Sequence, residues 1–195
     1  IRDVLITIIK ELITNAVKAN AKRLYFQVNN LNINNADDYA KGMQSFKNDV
    51  IKPDSALIRK LENTDLRVRI IFSNDASKMK ISVSNNIPIV EDELAKIKMR
   101  IEKAYHYQDI TEAFADVLDD SEGAGLGLIM AMLVFKNCGF AREDFNIERD
   151  AVKTVFSVGF SPRMDYQEFK SKLTDELAKE IDTLPSLPEN VTMLT

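Results

Sequence analysis

Three of the chain's six glycines stand together in Gly123-Ala124-Gly125-Leu126-Gly127, and an apolar run from Leu126 to Phe135 follows at once. Glycine has no Cβ, so it reaches positive φ without strain and lets backbone come close to a ligand. A helix that starts at such a loop turns free N–H groups and the positive end of its dipole toward whatever lies there, an arrangement suited to a phosphate. The pentapeptide therefore constrains the chain to a loop-to-helix junction with an anion-accepting mouth.

At 195 residues the chain has the length of one domain, with or without an appendage. A chain of this size buries about 70% of its unfolded surface and needs no disulfide or metal to fold. Twenty-six basic and 30 acidic residues leave a net charge of −4, which speaks against a general nucleic-acid footprint. Cys138 is the single cysteine, which excludes a disulfide framework and a cysteine-built zinc site and fits an intracellular, cytoplasmic setting. The apolar run at 126–135 is half the roughly 20 residues needed to span a bilayer, so no membrane segment is expected within this stretch. The opening on Ile1 reads as a fragment of a longer protein.

Hydrophobic periodicity predicts helices over 3–20, 91–105, 126–137 and 165–182, with weaker helical patches at 36–48 and 54–62. Alternation predicts strands at Arg23–Val28, Leu66–Phe72, Met79–Val83, Phe145–Glu148 and Thr154–Phe160, with a turn at Asn74-Asp75-Ala76-Ser77. Gly139 is placed as the glycine that closes the helix before it. The acidic stretch 109–122 reads neither way. The sum is an α+β chain, a two-layer α/β sandwich in which three helices cover one face of a mixed, mostly antiparallel sheet of about five strands.

In the first helix Glu11, Asn15 and Lys18 fall at i, i+4 and i+7 and share a face. A carboxylate can accept a proton, a carboxamide oxygen can ligate Mg²⁺ and a lysine can neutralise phosphate charge. The same spacing also describes a solvated polar face. The segment Val83-Ser-Asn85-Asn-Ile-Pro-Ile89 closes a strand. His106, the only histidine, reads as a surface or packing residue, Cys138 as a buried small hydrophobe, and Met130 and Met132 as core.

The order polar helix, strand and turn, then glycine loop into helix resembles the GHKL superfamily, which includes the ATP-binding domains of gyrase, a heat-shock chaperone and the histidine kinases. ELITNAVKANAKRLYFQV is similar to the family's N box with its first strand, ISVSNNIPI stands where its first glycine box belongs, and EGAGLGLIMAMLV is similar to its second. The resemblance spans about residues 5–160 and implies the Bergerat form of the sandwich, with ATP and Mg²⁺ as ligands. It implies Asn15 as the Mg²⁺ ligand, Glu11 as general base, Lys18 near the phosphates, and Gly123, Gly125, Leu126 and Gly127 cradling them. Residues 91–122 would be the lid. The family's adenine-reading Asp falls at Asn85, and the two glycines of that box fall at Ile87 and Ile89. Asn85 keeps a carbonyl acceptor for the adenine amine and loses the charge.

The implied activity is γ-phosphoryl transfer in signalling to a protein acceptor outside residues 1–195. A switch ATPase and a non-catalytic binding module are the alternatives. Residues 30–64 read as an insertion between the first two strands, 1–162 as the ATP-binding domain, and 163–195 as a helical linker to a further domain or a dimerising helix that would make a homodimer. LPSLPENV (184–191) resembles the opening of an HDOD signalling module.

Overall fold

The computed structural model describes residues 2–50, 60–61, 63–74, 78–118, 126–161, 166–182 and 191–194. Its longest element is helix α1 (Arg2–Val28). At 1.5 Å per residue, 27 residues make a rod of about 40 Å. Leu5, Ile8, Ile9, Leu12, Ile13 and Ala16 form its buried stripe. Each of the larger side chains in that stripe contributes about 1.5–3 kcal/mol by leaving water.

The strand expected at Arg23–Val28 is not one: α1 runs straight through it. Aromatic and β-branched residues favour strands only where a pleated surface offers them neighbours. Here the neighbour is a helix, α2 (Ala36–Val50). Phe26 is buried, its ring 5.9 Å from that of Tyr39, and Tyr25 meets Phe46 edge to face at 5.5 Å. Helix α1 then ends in a Schellman turn. Leu31 N–H donates to Phe26 O at 2.9 Å and Asn30 N–H to Gln27 O at 3.3 Å, with Asn30 left-handed at φ 54°. Asn35 caps α2, its Oδ1 accepting from the N–H groups of Asp37 and Asp38. The insertion thus lies between a helix and the first strand, not between two strands. Most of the weak helical patch at 54–62 lies outside the described residues.

The sheet comprises β1 (Val68–Asn74), β2 (Met79–Asn85), β3 (Phe145–Arg149), β4 (Thr154–Phe160) and β5 (Val191–Leu194), in the order β3-β4-β2-β1-β5. All pairings are antiparallel except β1 with β5. Residues 75–77 of the expected turn between β1 and β2 lie outside the described residues. Between β2 and β3 come α3 (Glu91–His106), α4 (Ile110–Leu118), α5 (Leu126–Asn137) and a 3-10 turn at Arg142–Asp144. Helix α6 (Tyr166–Asp182) follows β4.

One sheet face is turned to the core. Val68, Ile70 and Phe72 of β1, Met79, Ile81 and Val83 of β2, and Val158 and Phe160 of β4 join the α1 stripe, Ile101 and Ala104 of α3, and Leu128, Ile129, Met132, Leu133 and Phe135 of α5. Arg69, Ile71 and Ser73 alternate outward. This is the two-layer α+β sandwich that the residue pattern predicts. Helix α5 closes as expected at Gly139, with φ 84° and the Schellman bonds Phe140 N–H to Phe135 O and Gly139 N–H to Lys136 O. Cys138, expected buried, is exposed, because it sits in that turn beyond the last buried residue of α5. Met132 is core, Met130 half-buried and His106 exposed.

Within 163–195, expected as a linker, the described elements α6 and β5 pack on the domain instead. Leu173 and Leu177 of α6 are fully buried in the same core, Arg2 pairs with Glu176 at 2.9 Å, and β5 extends the sheet alongside β1. An amphipathic helix with a fully buried leucine pair is held by packing and does not act as a spacer. Of the HDOD-like tail, only Val191 is described.

Gly42 sets the spacing of α1 and α2. A Cβ there would lie 2.4 Å from Phe26 Cζ and 2.8 Å from both Cε atoms, inside van der Waals contact with a buried ring. Gly42→Ala is therefore expected to lower stability by about 1–3 kcal/mol, although Ala is the better helix former. Urea unfolding measures this, and a midpoint at or above wild type would mean that the two helices part without cost.

Candidate functional site: the polar face of α1 against the start of α5

Glu11, on the polar face of α1, meets Gly127 in the first turn of α5. The Asn15 Nδ2 donates to Glu11 Oε1 at 2.9 Å across one helical turn. A carboxylate oxygen only accepts, so the nitrogen of the Asn15 amide must face Glu11 and Oδ1 must face away. The Glu11 carboxylate lies flat against Gly127, the second residue of α5. A Cβ at 127 would be 2.4 Å from Oε1, 2.5 Å from Cδ and 2.6 Å from Oε2. Any residue other than glycine would displace the carboxylate. A negative group here lies at the positive end of the α5 dipole, as such a group should.

Lys18 is exposed, one turn on from Asn15. Leu126 is half-buried in the first turn of α5. Gly123 and Gly125 lie outside the described residues. Of the expected lid, 91–122, residues 119–122 lie outside the described residues, and the rest holds two helices of different character. Leu94, Ile101 and Ala104 anchor α3 in the core, so its first half is part of the frame. Helix α4 is more exposed, with Ala113 buried and Phe114 40% exposed.

Asn85, the last residue of β2, is 4% exposed. Its Nδ2 donates to the Ala16 carbonyl at 2.9 Å and to Asn20 Oδ1 at 3.0 Å. Asn85 thereby sits against the buried side of α1, where Ala16 and Asn20 are one turn apart. Across the sheet it stands opposite Thr154, the first residue of β4. Thr154 holds the segment after β2, its Oγ1 accepting from Ile89 N–H at 2.7 Å and donating to Ile87 O at 3.0 Å. Arg23 donates to Pro88 O at 2.6 Å, and Asn86 exchanges bonds with Arg67 and Asp65. Loop 86–90 therefore needs no glycine: side chains fix it from several sides. Burial lowers the pKa of the Arg23 guanidinium, opposed by Glu93, reinforced by Arg149 and opposed again by Tyr39.

Lys22 continues the face of Glu11, Asn15 and Lys18, and it pairs with Glu93 of α3. The Tyr39 hydroxyl of α2 donates to the same carboxylate oxygen at 3.0 Å. The insertion is thus tied to the frame beside the site. Asn20, Thr154 and Arg23 went unnoticed in the sequence. Asn20 and Thr154 each carried a signal, a polar residue in a buried register: Asn20 between Ala16 and Leu24 at helical spacing, Thr154 ahead of Phe156, Val158 and Phe160 at strand spacing.

Among the described residues no group of three or more His, Cys, Asp or Glu side chains converges on a metal position. The donors present nevertheless suit Mg²⁺ held jointly with a ligand's phosphates. That ion takes hard oxygens and usually needs only one or two from protein, and Asn15 Oδ1 is such an oxygen, aimed by the bond from Nδ2 to Glu11. No helix among the described residues is long and apolar enough to cross a membrane.

No protein-family model matches the sequence. The chain is 31% identical over 191 residues to an uncharacterized protein of Treponema pallidum (strain Nichols), across 98% of this chain. It spans 37% of the length of that relative.

Thr154→Val keeps the shape and removes both bonds to loop 86–90. The expected cost is about 1–3 kcal/mol of stability, with faster amide exchange at Ile89 than in the core strands. Hydrogen exchange resolved by residue checks it, and unchanged protection at Ile89 would show that Arg23 and Asn86 suffice.

Proposed function

We propose that this chain binds ATP with Mg²⁺ between α1 and the start of α5, as a histidine-kinase-like domain of the GHKL type, and supports γ-phosphoryl transfer to a protein acceptor outside residues 1–195. The observation that carries the proposal is the contact of Glu11, which accepts a hydrogen bond from Asn15, with Gly127. Residues of two motifs far apart in sequence are neighbours, with a glycine where a Cβ would collide. A cytoplasmic location goes with the use of ATP in signalling.

In this reading Mg²⁺ supplies charge neutralisation at the phosphates when bound. Asn15 Oδ1 would hold it, and the α5 amides and Lys18 would hold the phosphates. Glu11 would accept the proton of the attacking group as the γ-phosphoryl passes to it and ADP leaves. Catalysis of this type consists mainly of positioning and charge stabilisation. A switch ATPase would use the same residues with water as the attacking group, and phosphate release without a protein acceptor favours it. The non-catalytic alternative draws on loop 86–90, where Ile87 and Ile89 replace glycines.

Isothermal titration of wild type, Asn15→Ala and Gly127→Val with ATP tests the proposal. Wild type is expected to bind only with Mg²⁺. Asn15→Ala should lose at least about tenfold in affinity, and Gly127→Val should lose binding as its side chain drives Glu11 aside. Equal affinity of Asn15→Ala and wild type would remove Asn15 as metal ligand, and a flat wild-type titration would leave the non-catalytic module.

A further inference from the structure

Residues 88–93, which carry the chain from β2 into α3, are held from four elements. Arg23 of α1 donates to Pro88 O at 2.6 Å, Thr154 Oγ1 of β4 accepts from Ile89 N–H at 2.7 Å, Arg149 of β3 pairs with Glu91, and Lys22 of α1 pairs with Glu93. The fourth element is α2, in the insertion. Its Tyr39 hydroxyl donates at 3.0 Å to Glu93 Oε1, the same oxygen that Lys22 meets. Lys22 Nζ also lies 5.7 Å from the centre of the Tyr39 ring, within reach of a cation–π contact. The Lys22 and Glu93 side chains are 13% and 17% exposed, so solvent screens their attraction little.

Lys22 falls four residues beyond Lys18 and seven beyond Asn15, on the same face of α1. Its pairing with Glu93 brings the first turn of α3 against the C-terminal end of that face, while Glu11 meets Gly127 at the other end. A lysine is a compact charge on a flexible four-carbon stem, so by itself it holds Glu93 loosely. Tyr39 adds a second donor on a ring that packs against buried Phe26 at 5.9 Å. That donor fixes the direction of the carboxylate, and with it the first turn of α3.

We infer that Tyr39 is a positioning residue of the nucleotide site: by sharing Glu93 with Lys22 it sets the first turn of α3 over the end of the α1 polar face, so that nucleotide binding depends on the insertion that carries α2. The inference rests on the nucleotide site proposed above and adds a control point outside it. Coupling of this kind is reciprocal, so a bound nucleotide steadies α2 by the same factor by which the Tyr39 contact favours the nucleotide.

The test titrates the full chain with Mg·ATP. Tyr39→Phe keeps the ring against Phe26 and beside Lys22 and removes the hydroxyl. Its affinity is expected to fall about threefold to tenfold below wild type. In a Glu93→Ala background the same substitution should change nothing further, because the carboxylate through which it acts is gone. Equal affinities of wild type and Tyr39→Phe, both dependent on Asn15, would overturn the inference and leave the nucleotide site standing. An equal loss with and without Glu93 would overturn the route through that carboxylate. A wild type that binds no ATP would overturn both readings. Should Glu93→Ala fail to fold, the coupling is read by hydrogen exchange in wild type and Tyr39→Phe. Mg·ATP is expected to slow exchange across α2 and at Leu94 N–H, which donates to Val90 O at 2.9 Å in the first turn of α3. Tyr39→Phe should lose the α2 part of that protection, and equal slowing of α2 in both proteins overturns the inference.

Discussion

The structure depends on one helix serving two faces at once. Burial of Leu5, Ile8, Ile9, Leu12, Ile13 and Ala16 sets α1 against the sheet and against α5 and α6. That apolar contact fixes the rotation of the helix about its own axis, and the rotation in turn fixes where Glu11, Asn15, Lys18, Asn20 and Lys22 point. A helix held by core packing is a precise mount for polar groups, because turning it would expose apolar surface worth tens of calories per Å².

Around that mount the site is assembled from parts that each supply one missing property. Helix α5 supplies a positive helix end and a residue without a Cβ. Strand β2 supplies the Asn85 carboxamide at its tip, and β4 supplies Thr154 to hold the loop beyond it. The insertion supplies Tyr39, whose hydroxyl shares the Glu93 carboxylate with Lys22, so α2 and α3 are joined beside the site rather than across the molecule. In loop 86–90 hydrogen bonds from Arg23, Thr154 and Asn86 do what small residues would otherwise do.

Much of this was legible in the residues, for identifiable reasons. The hairpin β1–β2, the pair β3–β4 and helix α5 with its Gly139 stop are set by local alternation, period and turn chemistry, and they stand within a residue or two of expectation. The i, i+4 spacing of Glu11 and Asn15 puts them on one face of any helix, so their shared face followed from sequence, whereas the hydrogen bond between them is seen only in the structure. Arg23–Val28 misled because its aromatic residues suit a strand or a buried helix equally, and only the presence of α2 decides between them. The tail misled for a related reason: an amphipathic helix shows that it must cover something without showing what.

The order of residues alone dictates which segments are apolar, where they stop, and that a carboxylate, a carboxamide and a glycine-rich helix start are available. Tertiary structure decided that Glu11 lies on Gly127, that α6 and β5 belong to the same layers as α1 and β1, and that both hydrogens of the Asn85 amide are spent on α1. The division has a physical origin. Period, capping and turn preference act over a few residues and are written locally, whereas a contact between distant residues exists only once packing has chosen which faces meet. A buried polar group then takes its partner from whatever that choice brings within about 3 Å.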